Sequence, residues 1–325
     1  MTPTVRPYVG APDLRVLQEL TQRVWSPATA HHIGDLAWGR FLAGRAAADW
    51  PLAVWESDGR TRAWAWAHFP DGLGLQVDPE HPELFDAALS WFGTVADGRP
   101  CEIDALDTEP ALRAALLRHG YRQQRGRPHF TTHLRSLTAP QSPGQSPTGS
   151  SLAVTPPTEP ASTDLSSADG LPAPVLPDGF SVRALRGLPD LDRRVAVQRA
   201  AWNSARVTAG SYRDVMAAWP YRPDLDWVVE APDGRFVANC LIWYDDVHRA
   251  GLIEPVGTHP EFRRRGLARA VCLAALHALR AMGGTQAIVR PRGDADYPVP
   301  QALYRSIGFR PVARTHTYRR PGTHR

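Results

Sequence analysis

Apolar and polar positions along the chain follow two alternating periods, and the same succession of periods occurs twice. Within each half, "AVWESDGRTRAWAWAHF" and "VVEAPDGRFVANCLIWY" read as paired strands joined by an Asp-Gly turn, at Asp58-Gly59 and at Asp233-Gly234. Further on, "AGLIEPVGTHP" reads as a strand, and "LARAVCLAALHALRAM" spaces its apolar residues as an amphipathic helix does. Each half thus predicts a strand, a helix with a second helical segment, a meander of strands, then helix–strand–helix–strand. That order implies an α/β fold in which a mixed sheet is flanked by helices.

The repetition extends to individual residues. Val5, Pro12, Asp13, Leu14 and Trp25 recur at constant spacing as Val182, Pro189, Asp190, Leu191 and Trp202. "HPELFDAALSWF" parallels "HPEFRRRGLARAV", and "ALLRHGYR" parallels "LYRSIGFR". Matches kept in the same order along both halves argue for a duplicated domain. Between the copies, residues 136–177 hold nine prolines and no aromatic residue. Such a segment cannot bury enough apolar surface to offset ordering entropy, so a flexible linker is expected there, between domains at 1–135 and 178–325.

Composition narrows the chemistry. The 325 residues leave room for two ordinary domains. "MTPTVRPYVGAPDL" has no apolar core of a secretory signal, and no run approaches the roughly 18 apolar residues of a membrane span. Cys101, Cys240 and Cys272 are scattered without ligand-like spacing, and the 12 histidines form no H-E-x-x-H pattern. A cytoplasmic protein without a metal is expected. No lysine occurs, which excludes Schiff-base and P-loop lysine chemistry. Residues 178–325 carry 23 Arg against 14 acids, whereas residues 1–135 carry 14 against 16. A polyanionic ligand should therefore be sought in the second half.

Within that half, "VGTHPEFRRRGLARAV" runs a strand through three arginines and a glycine into a helix. Unpaired N–H groups and the helix dipole favour an anion at such a helix mouth. The first copy has Asp86 and no glycine in the corresponding region, and Leu116 where the second has Tyr304. It has kept the pattern of the fold and lost the chemistry.

Here the chain resembles the GNAT acetyltransferase superfamily. Arg263, Gly266 and Ala268 match its R/Q-x-x-G-x-G/A motif, and Leu303, Tyr304, Gly308 and Phe309 match its L-Y-x-x-x-G-F motif. The resemblance covers residues 180–320, with residues 5–135 as a degenerate copy, and implies two tandem GNAT-like domains, each with a mixed, mostly antiparallel sheet. It also implies acetyl-CoA as co-substrate. Arg263 would belong to the cofactor site, and backbone N–H groups across Arg264, Arg265, Gly266, Leu267, Ala268 and Arg269 would cradle the pyrophosphate. The strand residues Val256, Gly257 and Thr258 would meet pantetheine. Tyr304 would protonate the departing thiolate. Many members carry an asparagine about seven residues before that tyrosine; here the position is Tyr297.

Glu254, two residues before Val256, is expected to share its face of the strand and to take a proton from the acceptor. The acceptor site is expected around Trp202, Trp219, Tyr221, Arg222 and Asp245, aromatics and charges that suit a small-molecule amine. The combined reading is direct N-acetyl transfer from acetyl-CoA to such an amine. The alternative is a non-catalytic acyl-CoA sensor or regulatory module. A nucleic-acid-binding role of the basic half would need a recognised motif, and the sequence offers none.

Overall fold

A computed structural model describes residues 4–42, 50–138 and 170–322. The first half runs β1 (Thr4–Pro7), α1 (Ala11–Val24), α2 (Ile33–Leu42), β2 (Pro51–Ser57), β3 (Arg60–His68) and β4 (Gly72–Val77). It continues through α3 (Leu84–Ala96), β5 (Cys101–Leu106), α4 (Pro110–Arg118), β6 (Arg122–Gln123) and β7 (Thr131–Ser136). The second repeats the order with β8 (Ser181–Ala184), α5 (Leu191–Trp202), α6 (Ala209–Ala217), β9 (Asp226–Glu230), β10 (Phe236–Asp245) and β11 (Ala250–Thr258). It ends with α7 (Leu267–Ala281), β12 (Gln286–Val289), α8 (Val299–Ser306) and β13 (Arg310–Arg320).

Local chemistry explains the elements. Asp58 and Gly59 both adopt positive φ (53° and 68°), as a two-residue hairpin turn whose twist suits the flanking strands requires. In β3 the alternate Ala63, Ala65 and Ala67 pack under α3, while Trp64 and Trp66 face α1 and α2. All of β10 is buried, because α7 covers one face and α5 with α2 the other. The α7 helix is buried almost all round, its outer side being covered by the segment just before β8: Leu171 joins the core beneath it, and His277 Nε2 donates to the Pro172 carbonyl (3.1 Å).

The stretch read as linker is therefore structured at both ends. Ser136 closes β7, Leu137 is buried, and its N–H donates to the Thr285 carbonyl (2.8 Å). The leucines at 137 and 171 anchor what proline and serine content alone marks as solvated. The remainder, 139–169, lies outside the described residues.

Strand pairing departs from a simple repeat. All the described strands form one 13-stranded sheet, with the order β1-β2-β3-β4-β5-β13-β7-β12-β11-β10-β9-β8 and β6 beside β13. Each half's last strand thus completes the other half's sheet. Thr315–Arg320 of β13 pair with Cys101–Leu106 of β5, and His133–Ser136 of β7 pair with Gln286–Val289 of β12. Between them, Arg310–Arg314 of β13 pair with Thr131–Leu134 of β7. The only parallel pairings among the described strands are β4–β5 and β11–β12, one in each half.

Helix α2 binds the halves a second time. A Cβ on Gly34 would lie 2.2 Å from Trp243 Cβ of β10, so only glycine permits this approach. The contact brings Ala37 and Trp38 of the first half into one core with Tyr212, Leu252 and Ile288 of the second.

Candidate active site

The basic loop is a cluster of unused donors. Arg264 and Gly266 both have positive φ (64° and 77°), turning the chain twice between β11 and α7. A non-glycine residue there costs on the order of 1 kcal/mol, which places strain at the loop itself. The first helical bond of α7 runs from Ala270 N–H to the Gly266 carbonyl (3.0 Å). Successive N–H groups from Arg264 to Arg269 find no acceptor among the described residues. They form a donor array at the positive end of a helix, an arrangement that favours negative charge. The side chains differ in role. Arg263 ties the loop down, donating to the carbonyls of Ala201 (3.1 Å) and Thr258 (3.4 Å). Arg264 and Arg265 are exposed and have no acidic partner among the described residues.

Beside this loop the sheet opens. β11 pairs with β12 only over Ala250–Leu252, so from Ile253 to Thr258 its edge toward β12 has no strand partner among the described residues. The Thr258 hydroxyl near the end of this edge is buried without a partner. A gap with free main-chain groups leads from the donor array into the sheet.

At the gap β11 also carries a bulge: Ile253 pairs with Ile242 and Val256 with Cys240, leaving Glu254 and Pro255 opposite Leu241 alone. Trp243 Nε1 donates to the Glu254 carbonyl (2.8 Å) and holds the bulge. The extra residue corrects the expected alternation. Ile253 and Val256 face the core under α7, whereas Glu254 and Pro255 both face a cavity of about 330 Å³ on the α5 side. Gly257 faces α5 as well, beside Ala201 and Trp202.

Burial pushes the Glu254 carboxyl up to about 7, and the nearby carboxylate of Asp35 adds to the effect against the opposing Arg290 guanidinium. Asp35 belongs to α2 and Arg290 follows β12; they form an ion pair, and Asp35 Oδ2 also accepts from the His32 N–H (2.7 Å). Tyr304, on α8, is buried against Phe309 in the core under α7. Burial raises its phenol well above the ordinary value, helped by the adjacent Cys272, Cys240 and Glu254. Tyr304 thus offers a neutral acid and Glu254 a carboxyl poised near neutrality, with Glu254 within electrostatic reach of the phenol.

Gln198, which lines the cavity, belongs to a buried polar network. Arg194 Nε donates to Asp226 Oδ1 (2.9 Å), and the hydroxyls of Tyr212 and Tyr221 both donate to Asp226 Oδ2. Gln198 Oε1 accepts from Arg194 (3.1 Å) and from Asn239 (3.2 Å). With its oxygen occupied twice, Gln198 can offer the cavity only donors.

Of the residues expected around the acceptor, Trp202 lines this cavity with Glu254. The others do not. Tyr221 is held by Asp226, and Arg222 is exposed. Trp219 stacks on Arg15 of α1, the guanidinium carbon 3.8 Å from the ring centroid. Asp245 is fully buried and saturated, accepting from Gln22 Nε2 (2.7 Å), from the N–H groups of Val247 and His248, and from His248 Nδ1 (2.8 Å). It ties the β10–β11 turn to α1. Tyr297 is exposed near Arg292. Sequence reasoning missed Asp35, Trp38, Gln198, Arg206 and Arg290; no motif marks them, and two come from the other half.

Residues 195–309 match the acetyltransferase (GNAT) family model. They form a GNAT domain. The full chain superposes on a tandem GNAT protein from the clavulanic acid biosynthesis pathway, with TM-score 0.61, 15% identity and coverage of 100% of both chains. It also matches a GCN5-related N-acetyltransferase from Sphaerobacter thermophilus (TM-score 0.57, 17% identity, 99% and 97% coverage). A GNAT-family acetyltransferase from Colwellia psychrerythraea gives TM-score 0.59 at 11% identity, over 97% and 99% of the two chains. These likenesses establish the tandem GNAT fold for the whole chain. No curated protein sequence matches it.

The first GNAT-like copy lacks the donor array. Glu83 at the head of α3 is already helical, and Asp86 in the first turn pairs with Arg118 (2.7 Å) and His119 (3.0 Å). A carboxylate stands where an anion would have to bind. Among the described residues no group of three or more His, Cys, Asp or Glu could hold a metal, and no helix is long and apolar enough to cross a membrane.

Proposed function

We propose that the second half, residues 178–325, transfers an acetyl group from acetyl-CoA directly to the nitrogen of a small-molecule amine, and that the first half, residues 1–135, binds no acetyl-CoA. The single observation that carries the reading is the run of unused N–H groups from Arg264 to Arg269 leading into the unpaired edge of β11. This surface fits the co-substrate: the array suits a pyrophosphate, and the open edge with the orphaned Thr258 hydroxyl suits an amide-bearing arm along Val256, Gly257 and Thr258.

Acetyl-CoA supplies an activated thioester. The chain supplies orientation and proton handling. Glu254 accepts a proton from the acceptor's amine as its nitrogen bonds to carbon, directly or through a water. The Tyr304 hydroxyl gives one to the sulfur as the carbon–sulfur bond breaks. Gln198 donates into the acceptor cavity. We place the protein in the cytoplasm, acting without a metal, a membrane or a nucleic acid. The test is free-thiol release from acetyl-CoA across a panel of amines, with calorimetric titration of acetyl-CoA. One site per chain and turnover of at least one amine are expected; binding without turnover of any amine would favour a sensor.

A further inference from the structure

The small cavity at Glu254 does not end there. Arg206, on the loop between α5 and α6, also lines a second cleft of about 760 Å³ in the first half. That cleft lies on the α1–α2 face of β3 and β4, the place in the first copy that the Glu254 cavity occupies in the second. Duplication has thus left two acceptor-side hollows next to each other, and only one has a donor array and a tyrosine behind it.

The walls of the larger hollow are aromatic. Trp50 lies edge-on to Trp66 at 6.5 Å and tilted against His68 at 5.2 Å, and His31 leans on Trp64 at 5.1 Å between ring centroids. Burial lowers His31 and His68 to about 4, so both imidazoles are neutral. Asp35, at the boundary of the two hollows, is neutralised by Arg290. Arg206 has no acidic partner among the described residues. A polycation would find no uncompensated negative charge there. A polyhydroxylated ring would find few polar partners for its hydroxyls, at a cost for each one buried unpaired. A flat, weakly polar ring fits, because tryptophan and imidazole faces stack on it.

We infer that the two hollows form one acceptor site spanning both halves, and that the acceptor is an amine whose body is an aromatic ring held in the tryptophan cleft. The inference rests on the proposed acetyl transfer and adds its substrate class. The first half then acts as a selectivity element without co-substrate.

The test uses the full chain with acetyl-CoA and four probes: ethylamine, tryptamine, glucosamine and spermidine. Ethylamine fits the smaller cavity alone. Tryptamine should have the highest kcat/KM. Two variants probe the cleft. Trp50→Ala removes a half-buried wall. Gly39→Phe fills the cleft from an exposed position on α2, where a Cβ meets no atom within 4 Å. Each should lower the tryptamine-to-ethylamine ratio of kcat/KM roughly tenfold and leave the Kd for acetyl-CoA unchanged. An unchanged ratio in a folded Gly39→Phe protein, or a preference for spermidine or glucosamine, overturns the inference and leaves acetyl transfer standing. If no amine is turned over, acetyl transfer falls, and calorimetry with tryptamine decides the rest. Binding lost in Gly39→Phe supports the cleft; no binding to the wild type overturns it.

Discussion

Asp35 and Arg290, 255 positions apart in the chain, pair across the two halves beside Glu254. The pair makes the first half part of the electrostatics of the second. Asp35 raises the Glu254 carboxyl, and Arg290 restrains that rise.

A pH profile follows from this. Glu254 accepts a proton only when ionised, so kcat/KM should rise with pH, be half-maximal near 7 and level off above. Asp35→Asn removes the like charge and frees Arg290, and both changes lower the Glu254 value. The rising limb should move to lower pH by roughly one pH unit. An unmoved limb in the variant would detach Glu254 from the rate.

Tyr304→Phe should leave the fold intact. The ring keeps its edge contact with Phe309, and the hydroxyl has no hydrogen-bond partner among the described residues to leave unsatisfied. Loss of the proton donor should lower kcat roughly 10²–10⁴-fold. Steady-state kinetics beside a melting curve and an acetyl-CoA titration check this; full activity would assign Tyr304 to packing alone.

Gly266→Asp strikes the donor array. The position has φ 77°, and a Cβ added there meets no atom within 4 Å, so the new side chain costs about 1 kcal/mol of backbone strain without a clash. A carboxylate beside the array repels a pyrophosphate. Acetyl-CoA affinity should fall at least tenfold by calorimetry while the melting temperature drops only a few degrees. Unaltered affinity would move the co-substrate site elsewhere.

Strand exchange gives a prediction about cleavage. A specific protease site placed between residues 150 and 151 should yield a nicked protein that elutes as one species, because β7 and β13 remain in each other's sheets. Separation requires denaturant. Residues 178–325 made alone should aggregate, since β12 then shows a bare edge where β7 belongs. Two soluble, separable fragments would contradict the exchanged pairing.

Much of this was legible in the chain. Period-two alternation gave the β2–β3 hairpin, Gly266 and the arginines gave the donor loop, and the repeat gave the order of elements. What stayed hidden was non-local. Nothing in "TTHLRS" or "RPVARTHTYRR" says which half's sheet either strand joins, because both offer equally good edges. The Glu254–Pro255 bulge was missed because strict alternation assumes one residue opposite one. Asp245 looked available as a carboxylate and is instead saturated by Gln22 and His248. Asp35 and Trp38 sit in the half without the donor array, and only packing reveals that they lie against the other.

The exchanged strands also set a timetable for synthesis. The first half cannot close its sheet beside β5 until residues 310–320 have been made, however early its other strands appear. During translation its aromatic face and open edge must wait through nearly the whole chain, a long-range closure that is slow and exposed to misassociation. A ribosome paused before β13 would hold two unfinished sheets, and the last strand to emerge would complete the oldest part of the molecule.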